Sequence, residues 1–322
     1  MKKSFSGRRF LPSVPNHVYQ ITADCGVLFY KDEDYLVFLA VLFTVARRKK
    51  VRIFNLCLMI NHIHLQVSAP SERELDEFMR DFTSWFSRRY NKETGRSGRL
   101  FKISYGSAPK KGRFALLDNH AYILNNPVAK SICGFAAEYR WNLLPYLVSD
   151  NPFSEKYSDR ISSPALKTAR SVVESSARRG LAISYEFCRL YSEKLEEREW
   201  RQLEDYIICL YNTVDYGWID ELYGSVENLF SALRNTSGKE SDMEEDRDSR
   251  DYRQYYHAID LLEKHFSYDK GRFCPYALNG SQVRQAVRLL GKHTSANVYQ
   301  IARLLHVSHG EVSAILYNID YQ

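Results

Sequence analysis

Residues 53–67 read Ile53-Phe54-Asn55-Leu56-Cys57-Leu58-Met59-Ile60-Asn61-His62-Ile63-His64-Leu65-Gln66-Val67, an apolar strand run with polar insertions. Side chains two apart on a strand project from one face, so His62 and His64 point together while Ile63 and Leu65 face the other way. Two imidazoles side by side make a divalent-metal site. A lone H-x-H is a weak signal, because one buried, hydrogen-bonded histidine beside a chance one has the same spacing.

On the N-terminal side, residues 17–30 mix β-branched and aromatic residues in a strand-like way. Residues 34–50 then give a helical pattern ending in Arg47, Arg48, Lys49 and Lys50. On the C-terminal side, Pro70 precedes a second amphipathic helix over 72–91. Residues 95–105 follow as a glycine-containing basic loop feeding a strand, and a third helix near 114–126 is expected to stop at Pro127. Strands alternating with helices over about 140 residues predict a compact sandwich, one sheet covered by helices.

The chain has 322 residues, 44% of them hydrophobic, enough for two domains with cores of their own. Its net charge of +6 is uneven. Residues 1–140 hold 23 Lys and Arg against 12 Asp and Glu, and the remainder holds 22 against 27. A first part at +11 suits a polyanion, since each phosphate contact releases counterions. Arg88, Arg89, Arg96, Arg99, Lys102, Lys110, Lys111 and Arg113 are interleaved with Tyr90, Phe101, Tyr105 and Phe114, a mixture able to track phosphates and stack unpaired bases. These eight cations are the candidate DNA-binding residues.

The six cysteines are scattered without a C-x-x-C pair and read as reduced fillers. No long apolar run suggests a membrane span. The start MKKSFSGRRF lacks the apolar stretch of a secretory signal, so a cytoplasmic location is the expectation.

Beyond about residue 150 the pattern turns helical and charged, clearest in YSEKLEEREWRQLEDYIICLY (191–211). The expected organisation is a domain over 1–150, a helical middle region over 151–237, an acidic linker over 238–251 and a helical C-terminal domain over 252–322. Within that last part, residues 297–316 space Ile301, Leu304, Leu305, Val307, Val312, Ile315 and Leu316 as two short helices across a turn. Ala302 allows close approach and Ser308 can cap the second helix, the pattern of a helix-turn-helix.

Several strings fall in the order of one family. Leu58-Met59-Ile60-Asn61-His62-Ile63-His64-Leu65 resembles the histidine-pair strand of the single-tyrosine HUH nucleases, the REP-associated tyrosine transposases and their insertion-sequence relatives. Asp32-Glu33-Asp34-Tyr35 with Phe38-Leu39 is similar to the family's first helix, and Gly95-Arg96-Ser97-Gly98-Arg99-Leu100-Phe101 to its basic loop. Tyr122-Ile123-Leu124-Asn125-Asn126-Pro127-Val128 resembles the helix end that carries the nucleophile. Tyr139-Arg140-Trp141-Asn142 extends the resemblance, which covers roughly 14–147. The chain departs from the family at Leu124 and Arg99, where histidine is usual.

The resemblance implies a ferredoxin-like α/β sandwich with an antiparallel sheet; with the helical pattern that follows it, the expected fold is α+β, the sandwich followed by an all-helical region ending in the helix-turn-helix. It implies His62, His64 and Asn126 as ligands of Mg²⁺ or Mn²⁺ and Tyr122 as nucleophile. Cleavage of single-stranded or hairpin DNA would leave a 5′-phosphotyrosine and a free 3′-hydroxyl. It also implies a homodimer, since relatives pair two subunits. The competing readings are a catalytically silent DNA-binding regulator that works through its terminal helices, and an RNA-processing protein.

Overall fold

The computed structural model describes residues 8–235, 251–266 and 273–317. The expected acidic linker lies outside the described residues except for Asp251.

The first part runs β1 (Asn16–Ile21), α1 (Asp32–Lys49), β2 (Arg52–Met59), β3 (His62–Ser68), α2 (Glu72–Thr94), β4 (Gly106–Pro109) and α3 (Arg113–Ala129). The strands form one antiparallel sheet in the order β2-β3-β1-β4. A β-α-β-β-α-β order with this strand arrangement is the ferredoxin-like topology. The expected α+β sandwich is therefore present.

Three local expectations need correction. The run at 53–67 is not one strand but a hairpin, with Ile60 and Asn61 as its two-residue turn. No Gly or Pro marks that turn; the Ile60 carbonyl instead accepts from the amides of Leu28 and Phe29. The strand expected over 17–30 ends at Ile21. Cys25 adopts φ 60° and the Gly26 amide donates to Asp24 Oδ1, which turns the chain away from the sheet. The third helix continues through Pro127 to Ala129, where the proline sits in the last turn and its missing N–H costs at most one helical bond.

One sheet face carries Val18, Leu56, Leu58, Ile63, Leu65 and Val67. These residues share a core with α1 and α2, including Phe38, Phe78, Phe82 and Phe86. Every residue of α1 from Glu33 to Ala46 is buried. A helix buried on all sides must be covered on its outer side too, and the later helices do this. These are α4 (Pro164–Arg178), α5 (Tyr185–Lys194) and α6 (Glu197–Tyr211), of which α5 and α6 pack on α1. Arg47 donates to the carbonyls of Leu210 and Tyr211, both at 2.9 Å. The run read as one amphipathic stretch over 191–211 is broken at Leu195 and Glu196 between α5 and α6.

The opposite face of the sheet is crossed by α3. Its outer side is covered by α7 (Gly217–Tyr223) and α8 (Val226–Asn235). Four further helices follow: α9 (Arg253–His265), α10 (Gly280–His293), α11 (Val298–Leu305) and α12 (His309–Tyr317). Asn297 caps α11 and Ser308 Oγ accepts from the Glu311 amide at 3.1 Å, opening α12. The α11–α12 pair docks on the segment after β1. Tyr30 Oη donates to the Leu304 carbonyl at 2.6 Å, the Val27 amide donates to the Arg303 carbonyl, and His306 meets Asp24 at 2.6 Å. Among the described residues no helix is long and apolar enough to cross a membrane.

Candidate functional site

Strand alternation and register place nine side chains under α3. They are His17, Tyr19 and Ile21 from β1, His62, His64 and Gln66 from β3, and Asn55, Cys57 and Met59 from β2. Two hydrogen bonds fix the helix over them: Asn55 Nδ2 to the His120 carbonyl at 2.9 Å, and Gln66 Nε2 to Asn119 Oδ1 at 3.0 Å. Tyr122 thereby comes down onto His17 and His64, and Asn126 follows four residues later on the same side of α3.

The His62 and His64 rings lie 4.9 Å apart and nearly perpendicular. Tyr122 meets the edge of His64 at 5.7 Å and of His17 at 5.8 Å between ring centroids. Tyr19 lies 5.4 Å from His62 and 5.1 Å from His64. Asn61 Oδ1 bonds His62 Nδ1 at 2.7 Å, and His17 Nε2 bonds His64 Nδ1 at 3.0 Å. His62, His64, Tyr122 and Asn126 are all at most 2% exposed.

Buried polar atoms in proteins nearly always find partners. Here His64 Nε2, Tyr122 Oη, Asn126 Nδ2 and Asn61 Nδ2 have none among the described residues. Burial first, then the neighbouring His62, His17 and Lys130, pushes the His64 pKa well below the usual histidine range. His64 is therefore a neutral imidazole with a lone pair to offer, as a metal ligand requires. The neutral imidazole of His64 is a donor that could meet a divalent ion, and the buried amide of Asn126 lies four residues beyond Tyr122 on α3. Among the described residues no group of three or more His, Cys, Asp or Glu side chains is arranged to hold one.

The motif strings outside this pocket hold it in place. Tyr35 stacks on Trp141 at 4.3 Å, Tyr139 Oη donates to the Leu58 carbonyl at 2.7 Å, and Asn142 Nδ2 donates to the Leu124 carbonyl at 3.2 Å. Asp34 accepts from the Tyr30 and Lys31 amides and from Tyr185 Oη. Burial raises its pKa to about 6.

Residues 24–126 match the family model "Transposase IS200 like". The resemblance read from the motifs is borne out over that segment, which includes His62, His64, Tyr122 and Asn126. A solved structure described as the REP-associated tyrosine transposase bound to a REP hairpin is similar at 11% identity with a TM-score of 0.38, covering 50% of this chain and 94% of that one. No curated protein matches.

The candidate DNA-binding cations of the transposase-like segment do not form one surface. Arg88 and Arg89 lie on α2, across the sheet from the histidines. Arg89 donates to the carbonyls of Ala182 and Ile183. Arg96 is bound within its own loop, to Asn91 Oδ1 at 3.2 Å and the Arg99 carbonyl at 2.6 Å, and lies over the Tyr276 ring. Lys110 is 5% exposed. Arg99, Lys102, Lys111 and Arg113 are exposed, the last two at the start of α3.

Three contributors escaped the sequence reading. His17 and Tyr19 have the same i, i+2 spacing as the histidine pair, but their place beside it depends on the β1–β3 register. Tyr252, at the start of α9, lies 6.4 Å from the His62 ring. Its amide donates to the Lys130 carbonyl at 2.9 Å, and its ring lies under the Lys130 ammonium at 5.2 Å. Nothing local in the sequence announces that contact.

Proposed function

We propose that this chain is a metal-dependent, single-tyrosine endonuclease and strand transferase acting on single-stranded or hairpin DNA. The observation that carries the reading is the packing of Tyr122 on His64 beside His62 in one buried layer, with polar atoms of His64, Tyr122 and Asn126 left without partners among the described residues. Mg²⁺ or Mn²⁺ held by His62, His64 and Asn126 would polarise the scissile phosphate when bound. Tyr122 Oη attacks the phosphorus as its proton departs, and the bond to the 3′ oxygen breaks. This leaves a 5′-phosphotyrosine and a 3′-hydroxyl, and attack by that hydroxyl reverses the step without a nucleotide cofactor.

Lys111 and Arg113 are the cations best placed to hold phosphates beside α3, with Arg99 and Lys102 in the preceding loop. Arg88, Arg89, Arg96 and Lys110 contribute less, being remote, bonded or buried. In this reading residues 1–150 are the nuclease domain and 151–237 the covering helices. Residues 252–322 carry a helix-turn-helix that contacts duplex or hairpin DNA through α12. Pairing of two chains would serve cleavage at two ends.

Burial of the pocket favours a second reading, a DNA-binding regulator that does not cut. A phosphodiester reaches Tyr122, 2% exposed, only if its surroundings move. Incubation with Mn²⁺ or Mg²⁺ and end-labelled single-stranded and hairpin oligonucleotides separates the two. A metal-dependent covalent adduct absent from Tyr122→Phe supports the nuclease. Tight binding with no adduct on any oligonucleotide supports the regulator.

A further inference from the structure

We propose that His17 is a positioning residue that keeps the proton of His64 on Nδ1 and so aims the lone pair of His64 Nε2 into the pocket. The proposal rests on the metal-site reading above and assigns a role to a residue outside the matched segment 24–126.

His17 and His64 are both fully buried on neighbouring strands. Their rings are 5.2 Å apart and tilted by 35°, with His17 Nε2 3.0 Å from His64 Nδ1. A neutral imidazole carries one N–H and one lone pair, and the bond between the rings takes one proton. If that proton belonged to His17, His64 would carry its own on Nε2. That N–H would be a buried donor without an acceptor, since His64 Nε2 has no hydrogen-bond partner among the described residues. A buried donor left without an acceptor is destabilising.

The opposite arrangement has His64 Nδ1–H donating to His17 Nε2. It places a lone pair where donors and a cation would meet it. A ligand histidine whose second nitrogen is fixed by a hydrogen bond is the usual construction of metal sites. His17 also touches the Tyr122 ring edge at 5.8 Å, so the same side chain braces both the ligand and the proposed nucleophile.

The test begins with the metal-free, ¹⁵N-labelled full chain, in which long-range ¹H–¹⁵N correlations report which nitrogen of His64 is protonated. We expect Nδ1–H, and Nε2–H would overturn the proposal without any variant. Mn²⁺ affinity, read by electron paramagnetic resonance, should weaken about 10- to 100-fold in His17→Ala. It should recover most of that loss in His17→Gln, whose amide oxygen can accept the same proton. Unchanged affinity in His17→Ala would overturn the role, as would equal losses in the Ala and Gln variants. His64→Ala separates the two levels. Loss of Mn²⁺ there with no change in His17→Ala defeats only the role of His17, whereas retained binding in His64→Ala defeats the metal site beneath it.

Discussion

The two faces of β3 are made by alternate residues of one seven-residue strand, and they are built on opposite principles. Ile63, Leu65 and Val67 enter the largely apolar core shared with α1 and α2. Phe29 stacks on Tyr35 at 4.1 Å, and Phe38 meets Phe86 edge-on at 5.0 Å. His62, His64 and Gln66 enter an equally buried layer in which His64 Nε2, Gln66 Oε1, Tyr122 Oη and Asn126 Nδ2 lack partners among the described residues. One face maximises burial. The other tolerates unsatisfied polar atoms that a fold selected for stability alone would remove, as active sites do.

The largest expected effect breaks the apolar face. Leu65→Ala should cost about 2–5 kcal/mol, a large part of a typical domain's stability, read as a shift in the urea midpoint. A loss below about 1 kcal/mol would contradict this packing.

The next effect probes by pH the outer side of α3, where His120 meets Trp218 and Tyr223 of α7. His120, on α3, is buried and its pKa is pushed down to about 3 by desolvation. The unfolded chain takes up that proton near pH 6.5 while the folded chain resists it. The stability involved is therefore fully present above about pH 6.5, and falls by about 1.4 kcal/mol per unit as the pH drops toward 3. Denaturation midpoints for the wild type and His120→Asn should diverge below pH 6.5. Parallel curves would refute the assignment.

A smaller effect of opposite sign comes from Tyr122→Phe. Removing a buried hydroxyl without a partner should leave stability unchanged or raise it by about 1 kcal/mol, while abolishing the covalent adduct. Marked destabilisation would mean that the hydroxyl has a structural partner.

The smallest effect compares cations on the two sides of the sheet. Replacing both Lys111 and Arg113 by Ala should reduce the salt slope of single-strand binding by about 1.4, at about 0.7 for each phosphate no longer neutralised. Arg88→Ala, on the far side, should leave the slope unchanged. Equal effects would place the DNA elsewhere.

How much of this was legible follows from how local each signal is. α1 and α2 were readable because their periodic apolar residues carry the information themselves. The hairpin turn at Ile60 and Asn61 was not, because carbonyl bonds to Leu28 and Phe29 hold it rather than turn-forming residues. The packing of Tyr122 on His64 beside His62 could be anticipated from motif order. His17 could not, since its contact with His64 depends on strand register, and Tyr252 reaches His62 from 190 positions downstream. Charge was the weakest guide: Arg89 and Lys110 are cations that the fold uses internally.

The most direct test of the central claim is peptide mass mapping of the protein after reaction with a single-stranded oligonucleotide and Mn²⁺. We expect a nucleotide attached through its 5′ phosphate to the peptide containing Tyr122, and no attachment when metal is withheld. Attachment at another tyrosine, or an unmodified Tyr122 peptide alongside cleaved DNA, would contradict it.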